Sequence, residues 1–196
     1  MKLKAHVTAA SIALALVIGA PEIRAQQETK AHGKDPMTES LRPLKGKEFE
    51  VMFLKHMIHH HQMALETGGL AQSNTKRDEL NKLGAGIVSA QKAEIEQMTG
   101  WLKSWHNEAP GSMDGMPGME KMMKEMEALK TAKDAEFDKL FLEHMTDHHQ
   151  GAVEMAKLIE GRSDRAELKR LGQNIIKEQT KEIAQMKDWQ KAWFKK

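Results

Sequence analysis

The stretch His56-Met57-Ile58-His59-His60-His61-Gln62 returns as His144-Met145-Thr146-Asp147-His148-His149-Gln150, at an offset of 88 residues. The same offset aligns everything from Phe49 to Trp105 with Phe137 to Trp193, without a gap. Phe53 meets Phe141, Glu66 meets Glu154, Gly84 meets Gly172, Gln91 meets Gln179, Glu94 meets Glu182, Met98 meets Met186, and Trp101 meets Trp189. Self-similarity at a fixed offset marks a duplicated structural unit. The histidines lie inside that unit, so the reading of the repeat decides both the fold and the chemistry.

Within the first copy, a helix is expected over residues 47–72. Phe49, Met52, Phe53, His56, Met57, His60, Met63, Ala64 and Thr67 fall on one broad stripe at helical spacing. His56 and His60 lie near its middle and Met57 at its edge. His61 falls outside the stripe, His59 on the opposite edge, and Gln62 points away. A second helix is expected over residues 78–105, with Leu80, Leu83, Ile87, Gln91, Glu94, Met98, Trp101 and Trp105 as its stripe. Residues 73–77 form the turn between them. A carboxylate on a buried stripe costs several kcal/mol unless it is paired or bound to a cation.

The two helices form a hairpin, and counting residues sets what meets across it. His56 and His60 lie about 17 residues before the turn centre, and Gln91 and Glu94 about 17 after it, so all four sit about 25 Å from the turn. The second copy places His144, His148, Gln179 and Glu182 at one level about a turn near residue 163. Each hairpin alone exposes a full apolar stripe. The expected fold is therefore all-α: a four-helix bundle built from hairpin 46–106 and hairpin 133–196.

Residues 107–132 connect the hairpins. Gly111-Ser112-Met113-Asp114-Gly115-Met116-Pro117-Gly118-Met119 is turn-rich and cannot form regular helix. Residues 120–130 should be helical and carry Met122, Met123 and Met126. The connection is long enough to cross the bundle.

Residues 1–25 read as a secretory signal peptide, with Lys2 and Lys4 ahead of an apolar run from Val7 to Ala20 and Ala25 as the last residue before cleavage. An uncleaved anchor is the alternative. Without that leader the chain has 27 basic and 27 acidic residues and carries no basic patch, which argues against a nucleic-acid partner. No stable membrane association is expected after cleavage. Residues 26–45 are polar, hold Gly33, Pro36 and Pro43, and read as a flexible arm with His32 solvated. The chain has 15 methionines and no cysteine, so a soft-metal site in an exported form must use thioether sulfur.

Three constellations could carry chemistry. At the bundle centre, four histidines meet Glu94 and Glu182. Imidazole and carboxylate suit zinc, copper(II) or iron, while a hydrogen-bond network fixing helix register is the plainer reading. Met113, Met116 and Met119 recur every third residue through spacers that do not build a core face. With Met122, Met123 and Met126 they suit copper(I) or silver(I). Met57 with His61, and Met145 with His149, are i, i+4 pairs that would offer mixed ligation on helix surfaces if they are not simply solvated. The tryptophans near the hairpin ends read as core plugs.

The repeated His-Met-x-x-His-His-Gln helix, followed by Gln91-x-x-Glu94-Ile95-x-x-Met98-x-x-Trp101, resembles a bacterial exported family of ferritin-like four-helix domains long labelled a domain of unknown function. The resemblance covers residues 46–194. It implies a four-helix fold, a periplasmic location and a role in copper binding or resistance. The three constellations themselves favour copper(I), then copper(II), with zinc or iron behind, and the site residues they nominate are His56, Met57, His60, His61, Glu94, Met113, Met116, Met119, Met122, Met123, Met126, His144, Met145, His148, His149 and Glu182. Di-iron carboxylate bundles carry Glu-x-x-His. Here the matching helices read Glu94-Ile95-Glu96-Gln97 and Glu182-Ile183-Ala184-Gln185, against a dinuclear oxygen-activating iron site.

The leading expectation is a non-enzymatic copper carrier that sequesters copper or exchanges it with a periplasmic donor or acceptor protein. A metal-dependent oxidase or peroxidase at the central His/Glu site is the alternative. A methionine-rich helical chaperone is a third.

Overall fold

A computed structural model describes residues 35–194. The leader, residues 26–34 of the expected arm and His32 lie outside these residues. The described helices are α1 (Pro36–Leu41), α2 (Gly46–Asn74), α3 (Asp78–His106), α4 (Met119–Thr131), α5 (Asp134–Lys157) and α6 (Ala166–Phe194), and no strand occurs among the described residues. None of these helices is long and apolar enough to cross a membrane.

α2 with α3 and α5 with α6 form the two hairpins, and α2 and α5 also pack on each other. α3 starts with Asp78 and Glu79 in its first turn, where carboxylates favour the exposed N–H groups. It ends at Asn107, whose left-handed backbone (φ 54°) lets its own N–H reach the Lys103 carbonyl and the Glu108 N–H reach that of Leu102. The first hairpin closes tightly because two glycines face each other. A Cβ at Gly84 would lie 2.6 Å from the Gly68 carbonyl oxygen and 2.9 Å from the Ala71 Cβ. In the second hairpin Gly172 plays the same part, where a Cβ would come within 2.6 Å of Ile159 Cδ1.

The hairpins are pinned reciprocally. Arg77, just before α3, donates from Nε to Asp138 Oδ2 at 2.9 Å and lies over the Trp193 ring at 4.1 Å, both in the other hairpin. Arg165, just before α6, donates to Glu50 Oε2 at 2.7 Å and lies over Trp105 at 4.3 Å. The residues of one pin are the repeat mates of the other. Exchange of partners between repeats is the mark of a pseudo-twofold arrangement. The tryptophans expected as core plugs are only half-buried; each pair is stacked, Trp101 on Trp105 at 4.8 Å and Trp189 on Trp193 at 5.1 Å.

One expectation needs correction. Residues 35–45 are not part of a flexible arm. Asp35 accepts the Thr38 N–H at 2.7 Å as an N-cap, Pro36 opens α1, and Met37 and Leu41 are fully buried in the same core as Phe49 and Phe53. Six helical residues are too few to show an apolar period, although Asp35-Pro36 was a readable start signal.

The facing glycines generate a stability prediction. Gly84→Ala should cost about 1–3 kcal/mol through overpacking. Gly86→Ala, two residues further on and with nothing within 4 Å, should instead stabilise by about 0.5–1 kcal/mol. Urea unfolding of both variants checks this, and equal effects would show that the helices do not meet at Gly84.

Candidate functional site

α2 is buried on all sides through the motif. Six consecutive residues, His56 to His61, are buried, as are His144, Met145, Thr146, His148 and His149 on α5. A helix buried all round has no solvent face. α3 covers one side of α2, α5 a second, and the crossover a third, where the Pro110 carbonyl lies 3.2 Å from His59 Nε2. His61, Met57, His149 and Met145 are therefore not on helix surfaces as expected: all four have zero exposure, and both methionines belong to the apolar cores. The i, i+4 Met/His surface sites do not exist in this fold.

His60 and its repeat mate His148 meet across the α2–α5 contact. Their rings lie against each other with centroids 3.7 Å apart and planes tilted by 35°, and His148 Nε2 is 3.0 Å from the His60 carbonyl oxygen. The pseudo-twofold relation thus passes through the histidine cluster. Gly151 makes room for this ring, since a Cβ there would lie 3.3 Å from His60 Nε2. His56 and His144 are buried as expected, and His144 Nδ1 pairs with Glu125 Oε2 of α4 at 3.2 Å.

The carboxylates take a different partner from the one that counting predicts. Glu94 and Glu182 stand at the expected level, but each reaches the histidine one residue further on. His61 Nε2 to Glu94 Oε2 and His149 Nε2 to Glu182 Oε2 are both 2.7 Å. The glutamate side chains are 24% and 26% exposed, so they bridge from the sealed core to its edge. Neither is the deeply buried carboxylate that the stripe suggested.

What the core leaves open is nitrogen. The Nδ1 atoms of His60, His61, His148 and His149 are buried and without a hydrogen-bond partner. So are His56 Nδ1, His144 Nε2 and the side-chain oxygens of Gln91 and Gln179. Buried polar atoms ordinarily find partners, and such a concentration of exceptions in one place calls for an explanation. Among the described residues, no three His, Asp or Glu side chains are arranged to share one ion. The consecutive pairs are the feature common to both repeats: His60 and His61 have centroids 6.4 Å apart, and His148 and His149 6.2 Å apart.

The methionine segment is also redistributed. Met113-Asp114-Gly115-Met116 and Met116-Pro117-Gly118-Met119 are successive turns, closed by Met116 N–H to Met113 O (3.1 Å) and Met119 N–H to Met116 O (3.3 Å). Gly118 supplies the φ of 81° that a type II turn with Pro at its second position requires. These turns do not leave the thioethers in solvent, as the spacers suggested. Met113 is half-buried, and Met116, Met119 and Met122 pack against the core that holds α1. Met126 is fully buried, with its sulfur accepting the Thr67 hydroxyl at 3.7 Å, and belongs to the packing. Only Met123 of this group is well exposed.

Burial keeps the central imidazoles neutral. His60 and His148 are held well below the ordinary histidine value of 6.5, first by burial and then by the surrounding histidines. His56 is lowered by burial against the opposing pull of Asp35. A group with a lowered folded pKa binds its proton more readily in the unfolded chain, so stability is lost as pH falls below the unfolded value. Metal-free protein should therefore become less stable between pH 7 and pH 5, and His60→Leu with His148→Leu should flatten that dependence. Urea unfolding at the two pH values measures it; equal steepness in both proteins would contradict the neutral core.

Comparisons with known proteins place the fold. CopM in its Cu(I)-bound form is 33% identical, with a TM-score of 0.64, over 74% of this chain and 97% of that one. A DUF305 protein from Streptomyces coelicolor is 31% identical, with a TM-score of 0.62, over 69% of this chain and 88% of that one. A DUF305 fragment from Deinococcus radiodurans is 29% identical, with a TM-score of 0.64, over 74% of this chain and 97% of that one. No curated protein matches the sequence. The family model described as Domain of unknown function (DUF305) matches residues 19–102 and 50–190, and the chain belongs to that family.

Proposed function

We propose that this protein binds copper ions in its bundle core, copper(I) ahead of copper(II), and holds or hands on that cargo outside the cytoplasm. The observation that carries the reading is the pair of consecutive buried histidines, present in both repeats, with all four Nδ1 atoms unpartnered. A metal–imidazole bond is about 2.0 Å, so two rings sharing one ion end-on have centroids about 6 Å apart. The separations of 6.4 and 6.2 Å fit that arrangement. Two nitrogen donors without a third suit the filled d shell of copper(I) or silver(I), which accepts linear coordination. Zinc and iron require more donors. Solved structures of CopM in Cu(I)-, Cu(II)- and silver-bound forms support the assignment by likeness.

The protein acts as a carrier rather than an enzyme: the donors are sealed inside, and the carboxylates that reach the cluster, Glu94, Glu182 and Glu125, are each engaged with a histidine. A leader-like N-terminus supports export, where a cysteine-free site resists oxidation. The half-buried Met113, Met116 and Met119 lie on successive turns at the edge of the core, and we assign them weaker, outer copper(I) capture. A periplasmic donor or acceptor protein would be the exchange partner.

Two sets of variants test this. Competition against a copper(I) chelator should give two tight ions per chain in the wild type and one in His60→Leu/His61→Leu. Met113→Leu/Met116→Leu/Met119→Leu should keep both tight ions and the melting temperature while losing weaker uptake. Loss of tight uptake in the methionine variant would move the main site to the crossover, and absence of tight copper(I) or silver(I) uptake in the wild type would end the reading.

A further inference from the structure

We propose that Glu94 and Glu182 are positioning residues for the core site and not ligands: each fixes the tautomer of its histidine so that the nitrogen facing the core is always an open lone pair. The inference rests on the core-histidine reading above and adds what makes those histidines competent.

His61 and His149 are fully buried, and each makes one polar contact, from Nε2 to a carboxylate oxygen at 2.7 Å. A carboxylate only accepts, so the Nε2 atom must carry the proton. A neutral imidazole has one N–H, and its lone pair is then confined to Nδ1. Nδ1 is the buried, unpartnered atom in both rings. Without the carboxylate, the ring could place its proton on Nδ1, and its lone pair would then lie on Nε2, away from the open Nδ1 position. The same oxygen of the same residue type makes the same contact in both repeats, whereas the other histidine contacts differ between them: His144 pairs with Glu125 of α4, and His56 with the Met37 backbone under the field of Asp35.

The geometry also argues against direct ligation. Each carboxylate lies on the Nε2 side of its ring, with the open Nδ1 on the other. A metal-bound histidine characteristically donates its second N–H to a carboxylate, which orients the ring and raises its basicity. A glutamate about one-quarter exposed can do this from the edge of the core while the ion itself stays dry.

The experiment uses silver(I) as the probe on full-length protein lacking only its leader, with Glu94→Ala, Glu182→Ala and the double variant. Nitrogen-15 spectra of the metal-free protein report histidine tautomers, silver(I) competition reports affinity, and X-ray absorption reports the donor atoms. The proposal expects His61 and His149 as pure Nε2–H tautomers in the wild type. It expects mixed tautomers and about tenfold to a hundredfold weaker silver(I) binding at the repeat altered. The first shell should be all-nitrogen in every protein, with melting of the metal-free single variants close to wild type. A carboxylate oxygen in the wild-type first shell overturns the proposal, as do unchanged tautomers or unchanged affinity in the variants. Should the wild type take up no silver(I) while its tautomers are as expected, the core-site reading fails and the hydrogen bonds are structural.

Discussion

Neither hairpin can bury its own apolar face, and the contact between α2 and α5 is where that deficit is met. Everything else is arranged around this contact. It sets His60 against His148 with ring centroids 3.7 Å apart, and it brings two copies of one histidine helix into contact. The pins at the hairpin ends, Arg77 on Asp138 and Trp193, and Arg165 on Glu50 and Trp105, hold the two halves in that register. Burying Arg–carboxylate pairs is worthwhile only when their geometry is good, and here the indole face shields each guanidinium as well. Because each pin joins the turn of one hairpin to the opposite helices, loosening one half loosens the other.

The core that results is unusual in its polarity. The imidazoles are buried against one another, and burial makes the neutral form of His60 and His148 the stable one. Neutral imidazole is also the form that donates to a metal. The apolar shell and the donor chemistry are therefore consequences of one constraint, which is the exclusion of water from the α2–α5 contact. Glu94 and Glu182 stand at the boundary, each in hydrogen-bond contact with a buried ring and about one-quarter exposed.

α1 and the crossover close the remaining side. Pro36 packs 3.6 Å from the position a Gly118 Cβ would take, so the helix entry and the methionine turns touch. Met37 and Leu41 from α1 and Met116, Met119 and Met122 from the crossover join one core. These methionines are thus part of the packing on that side.

Much of this was legible from the residues alone. The gap-free repeat determined two hairpins and an all-α bundle, and counting from each turn brought Glu94 and Glu182 to the level of the histidines. The inward placement of His56, His60, His144 and His148 followed from their stripe. Tertiary structure decided the rest. A stripe analysis assumes one buried face, but α2 and α5 are wrapped on several sides, so His61, His149, Met57 and Met145 are core residues. Axial counting fixes level and not rotation, which is why the carboxylates meet His61 and His149 instead of their neighbours. Spacer residues that cannot form helix still turned Met116 and Met119 onto the core, because turns of three-residue period gather every third side chain. α1 was hidden by its brevity. The sequence alone determined which donors would share a level, since helical rise is a property of the local chain. Which nitrogen of each donor is left open depended on contacts between helices, and those exist only once the bundle has formed.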